Sequence, residues 1–137
     1  MKRHVKNFNG FKNKPNTVFE NYESTSWADM INGKEVTITI QDVQNYLKNT
    51  PIIEISVDEI KDMCVHKLKT DDVTLQRVMS ADLNYPIIIS KDLNGEYNMI
   101  LDGHHRLQKA INTKQKTIKA KVLDLKNVSK EWQFMFR

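Results

Sequence analysis

The chain predicts a small α+β domain built on a mixed β-sheet with helices, and three stretches carry that expectation. An apolar run at 98–101 turns at Asp102-Gly103 into a segment where Leu107, Ala110 and Ile111 recur three and four apart. A strand there feeds directly into a helix. Asn94-Gly95 stands between two strand-like runs, the strongest short-range hairpin signal. Between 117 and 125, Ile118, Ala120 and Val122 alternate with lysines, the period of a half-buried or edge strand. The resulting order is strand, helix, hairpin, helix, strand.

Residues 1–26 are rich in Asn, Lys, Ser and Thr, with isolated aromatics at Phe8, Phe11, Phe19 and Tyr22. No period holds, so this is an extended arm. Lys2, Arg3, Lys6, Lys12 and Lys14 interleave with the aromatics, and a tail that touches nucleic acid or a partner is the alternative. Residues 27–31 suggest a short helical turn ended by Asn32-Gly33. Alternating, β-branched residues over 36–40 predict a strand. Ile40, Val43 and Leu47 then fall at helical spacing, with Thr39 as N-cap and Asp42 three residues later, so a helix runs over about 40–48 and closes before Pro51.

A strand follows over 52–57, and Asp58 and Glu59 suit the first turn of a short helix. After a connecting segment, Thr70 is a candidate N-cap for a helix whose Val73, Leu75, Val78, Met79 and Leu83 form a broad apolar stripe. Residues 86–90 read as a strand buried on both faces. The helix after Gly103 ends near Asn112. In the last stretch Trp132, Phe134 and Phe136 must find cover, on the N-terminal addition or on a second chain. Residues 1–50 thus form an arm with a strand–helix addition, and 51–137 the domain proper.

Composition narrows the function classes. The 137 residues are 39% hydrophobic and 28% charged, as expected of a single polar-surfaced domain. A net charge of +4 mildly favours acidic partners such as nucleotide or nucleic acid. Cys64 is the only cysteine, which excludes an internal disulfide and fits a reducing, cytoplasmic setting. No apolar run approaches a membrane span, and the basic start has no apolar stretch behind it, so neither a membrane partner nor a secretory signal is expected.

The Asp102-Gly103 turn is where chemistry concentrates. The first N–H groups of a helix have no internal acceptor, and the helix dipole adds partial positive charge there. Such a corner attracts anions, phosphate above all. Gly103 would let the backbone approach closely, and Arg106 would grip an anion with its planar fork. The ordinary role of Asp102 is to cap the helix, and the ordinary role of His104 and His105 is exposed or capping side chains.

Leu101-Asp102-Gly103-His104-His105-Arg106, followed by Leu107 and Ala110, resembles the signature of the ParB/sulfiredoxin superfamily. The DNA-partitioning CTPases of that group carry Gly-Glu-Arg-Arg-Leu-Arg-Ala-Ala there, sulfiredoxins Gly-Gly-Cys-His-Arg, and the free-serine kinases a form close to Asp-Gly-His-His-Arg. The resemblance runs over about 51–125 and is concentrated in 101–110. It implies a ParB/sulfiredoxin-like fold with an N-terminal extension, binding ATP or CTP with Mg²⁺. Asp102, Gly103, His104, His105 and Arg106 would meet the nucleotide, and Asp102 would also meet the metal. His66, Lys67 and Lys69 lie in the segment that folds over the nucleotide in the superfamily. His104 would donate to a phosphate oxygen or carry a proton, with His105 as its neighbour in the catalytic set. Glu59 is the choice for the catalytic glutamate of the kinases. The matching position of the sulfiredoxin cysteine is His104, which excludes sulfiredoxin chemistry. His105 and Gln108 replace arginines of the CTPase form, and the sequence stops near where those proteins begin a helix-turn-helix, so partition-complex behaviour is not expected.

Three readings follow. The first is nucleotide binding with phosphotransfer or phosphohydrolase chemistry at the turn. The second is a ParB-like DNA-binding protein or nuclease, where His66, His104 and His105 would gather a metal. The third is a non-catalytic interaction protein, a homodimer included, of the kind its short Asn/Lys-rich build suggests for a phage protein in its host's cytoplasm.

Overall fold

The computed structural model describes residues 4–7, 25–63 and 72–137, with residues 4–7, 72 and 73 described by backbone alone. Expectations for Cys64, His66, Lys67, Lys69 and the Thr70 cap, and for most of the 1–26 arm, lie outside the described residues. The fold is α+β, as the element order predicts, and contains a mixed sheet. The chain divides into two units, Met1–Lys48 with Leu125–Arg137, and Asn49–Asp124. The last thirteen residues therefore group with the N-terminal addition rather than with the residues just before them. Among the described residues no helix is long and apolar enough to cross a membrane.

In the first unit, β1 (His4–Asn7), β2 (Thr25–Ile31) and β3 (Lys34–Thr39) form an antiparallel sheet in that order. The helical turn expected over 27–31 is instead most of β2. Asn32 and Gly33 both take positive φ, 53° and 79°, between the paired residues Ile31 and Lys34. That is the two-residue turn whose twist suits a hairpin, so the dipeptide joins two strands rather than ending a helix. The expected cap at Thr39 forms in full: its hydroxyl accepts from Asp42 N–H at 3.1 Å, and the Asp42 carboxylate accepts from Thr39 N–H at 2.9 Å. Helix α1 (Ile40–Tyr46) follows, with Ile40 and Val43 buried. Of the late aromatics, Phe136 is buried within this unit, and Trp132 and Phe134 are half-buried. Helix α5 (Lys130–Phe136) sets Phe136 edge-on against Trp27 at 5.1 Å and Trp132 beside Tyr46 at 5.4 Å. Rings at these spacings gain somewhat beyond their buried area.

The second unit contains β4 (Ile53–Ser56), α2 (Val57–Ile60) with a 3-10 turn at Lys61–Met63, and α3 (Asp72–Ser80). Then come β5 (Ile87–Lys91), β6 (Tyr97–Asp102), α4 (His104–Asn112) and β7 (Thr117–Asp124). The sheet order is β4-β7-β5-β6, with β7 parallel to β5 and antiparallel to β4. β7 is thus an interior strand and not an edge. Its lysines alternate with buried Ile118 and Ala120, so sequence alternation reported one buried face and said nothing about neighbours. β5 is buried along Ile87 to Ser90, as its unbroken apolar run predicts. Ile55, Ile60, Ile89, Leu107 and Ala110 meet in one core cluster that holds α2 and α4 against the sheet. Each buried Ile or Leu of this cluster contributes about 1.5–3 kcal/mol.

The α3 stripe is narrower than expected. Val78 is buried, but Leu75 is 46% and Met79 73% exposed. The helix touches α4 along one face, and residues 75 and 79 share a different one. Between β5 and β6, Asp92 Oδ1 accepts from both Asn94 and Glu96 N–H, so the expected hairpin has a longer loop with Gly95 at φ 84°.

Candidate functional site

The antiparallel register of β5 and β6 sets Asp102 opposite Ile88 and brings the end of β6 beside the start of β5. A register shift between Ile88 and Ile89 falls at the end of β6, and a second, between Ser90 and Lys91, near its start. The buried Ser90 hydroxyl fills the irregularity, accepting from Met99 N–H at 3.2 Å. The residue pattern gives little sign of these bulges. A polar residue closing a four-residue apolar run was the one available signal.

Gly103 caps α4 from a left-handed conformation, φ 104°. A Cβ there would lie 2.6 Å from Ile87 Cγ2 and 3.0 Å from Arg106 Nη1. The glycine is thus required by its own neighbours as well as by φ, a reason sequence reading missed when it reserved the space for a ligand. Gly103, as the N-cap residue, offers no side chain to the first turn of α4. The carboxylate of Asp102 accepts the N–H of Gly103. The first turn of α4 lies at the positive end of the helix dipole.

Arg106 does not reach freely into solvent. Its Nη1 donates to the Pro86 carbonyl at 2.9 Å and lies 4.0 Å from Asp102 Oδ2. One turn further on, Lys109 Nζ donates to the carbonyls of Met79 and Ala81, at 2.9 and 2.8 Å, and so closes the C-terminal end of α3. Helix α4 therefore holds the 79–86 connection through two cations on three backbone carbonyls. Burial raises the Asp102 carboxyl above its usual range, offset in part by Arg106 and by the Gly103 N–H.

His104 is half-buried, and its Nδ1 is enclosed without a hydrogen-bond partner. Burial, then the neighbouring His105, holds its pKa down to about 4. It is neutral at working pH and would meet an anion as a dipole or N–H donor, not as a cation. His105 is the next residue on the same turn. Glu59 lies exposed on α2, close enough to raise the Tyr97 hydroxyl's pKa, although burial contributes more. Helices α2 and α4 touch.

Asp102, Gly103, His104, His105 and Arg106 accordingly share one corner, Glu59 lies on the neighbouring α2, and Lys67 and Lys69 are outside the described residues. No three His, Cys, Asp or Glu side chains gather as a metal site among the described residues. Acidic and basic side chains balance within Asn49–Asp124, so the net +4 of the chain belongs to the other unit. Any attraction for an anion at this corner is local rather than a field of the whole unit. No family model, no curated protein and no solved structure matches the chain.

Proposed function

We propose that the Asn49–Asp124 unit binds a phosphate-bearing ligand of nucleotide class, ATP or CTP with Mg²⁺, at the start of α4. The observation that carries this reading is a helix that starts from a left-handed glycine, with an arginine fixed beside its first turn. Amides of the first turn would take phosphate oxygens, and the remaining Arg106 donors would balance their charge. The likeness of residues 101–110 to the ParB/sulfiredoxin signature points the same way. Mg²⁺ would arrive on the phosphates themselves, since it is commonly held by few protein groups and keeps several waters.

For phosphotransfer or phosphate hydrolysis, the corner would supply charge balance and orientation. A histidine held near pKa 4 is a weak base at neutral pH, so His104 would orient a phosphate oxygen rather than remove a proton. The charge balance of this unit leaves any DNA contact to the basic N-terminal stretch, where it would show a steep salt dependence.

Melting curves with ATP, CTP and their Mg²⁺ complexes test the reading. A nucleotide should raise the melting temperature of the wild type, and Arg106→Ala, compared with its own unliganded baseline, should lose the rise. Absence of any rise in the wild type overturns the proposal.

A further inference from the structure

Resting on the phosphate-binding reading of the α4 corner, we infer that Asp102 is a positioning residue for Arg106 and not a ligand for the metal ion. Asp102 ends β6 and Arg106 lies one helical turn later, so the turn at Gly103 folds the carboxylate back toward the guanidinium at 4.0 Å. The carboxylate also accepts the Gly103 N–H. Pro86, just ahead of β5, supplies a second anchor at 2.9 Å. The guanidinium is thus held between the start of one strand and the end of its neighbour.

Both described contacts of Arg106 fall on the same nitrogen, Nη1. The donors left for an anion are Nη2 and Nε, an edge of the fork that can take two oxygens at once. A fork with a fixed plane loses less freedom on binding than one that must be recruited. A carboxylate aimed at phosphate would repel it, whereas aimed at the guanidinium it directs the arginine. The same geometry argues against a cation: the Arg106 charge stands beside Asp102, and among the described residues no second and third ligand join it.

Asp102→Asn keeps the shape and an acceptor for Gly103 N–H while removing the charge. The first readout needs no ligand. In ¹⁵N-labelled protein, wild-type Arg106 should show separate, slowly exchanging Nη–H signals from restricted rotation, and Asp102→Asn should merge them. Unchanged Arg106 signals would overturn the inference. The second readout is nucleotide affinity with and without Mg²⁺. Asp102→Asn should weaken binding about tenfold in both conditions. A loss confined to the Mg²⁺ condition would make Asp102 a metal ligand and overturn the inference, as would no loss in either. If wild type binds no nucleotide, the phosphate reading falls, and the Arg106 signals still decide the positioning role.

Discussion

The half-buried ring of His104 makes the stability of the fold depend on pH in a defined window. Its pKa is 6.5 in an ordinary setting and about 4 in the folded chain. At roughly 1.4 kcal/mol per pH unit, the difference amounts to up to about 3 kcal/mol. The direction follows from which state takes the proton. Between 6.5 and about 4 the unfolded chain binds a proton that the folded chain refuses. The contribution of the neutral ring is therefore complete above pH 6.5, declines as the pH falls, and is fully lost near pH 4. Asp102 acts in the opposite sense, because its raised carboxyl takes a proton more readily folded than unfolded. Its effect is common to wild type and a His104 variant, so their difference isolates His104. The assay is urea unfolding from pH 8 to 4 for wild type and His104→Gln. The wild type should lose up to about 3 kcal/mol relative to the variant across that window. Parallel curves, or a His104 NMR titration centred near 6.5, would refute the argument.

Gly103→Ala should cost about 2–4 kcal/mol in urea unfolding, from left-handed strain and the contact with Ile87 together. Combined with Ile87→Ala, its cost should shrink, and simple additivity would show that the contact does not matter. Lys109→Met should remove the ammonium from the Met79 and Ala81 carbonyls, cost about 1–2 kcal/mol, and speed hydrogen exchange in the last turn of α3. Unchanged exchange there would count against the staple. Thr39→Ala should lower the urea midpoint by the equivalent of about 1 kcal/mol through loss of the reciprocal cap on α1.

Local signals in the sequence reached local structure. The Thr39 cap, the fully apolar β5 and the strand-to-helix passage at Gly103 each depend on residues within a few positions of one another, and each was readable. The N-terminal strand was missed because Trp27 to Ile31 is buried on both faces for most of its length and shows no alternation. Its Asn32-Gly33 turn then lost its partner strand and read as a stop. The place of β7 in the sheet could not be read, since alternation records a face and not a neighbour. At the site the residue types were readable and their partners were not. Arg106 meets Pro86, twenty positions earlier, and Lys109 meets Met79 and Ala81. These contacts depend on two strands and two helices coming together. A cation that looks poised for a ligand in the sequence is partly committed to carbonyls in the fold.

The account stands on anion capture by the first turn of α4, and amide NMR reads that turn directly. On titration with ATP or CTP and Mg²⁺, the backbone N–H signals of His104, His105 and Arg106 should move most and saturate together. Nucleotide titration that leaves these three amides in place, or that shifts signals only in the Met1–Lys48 unit, would contradict it.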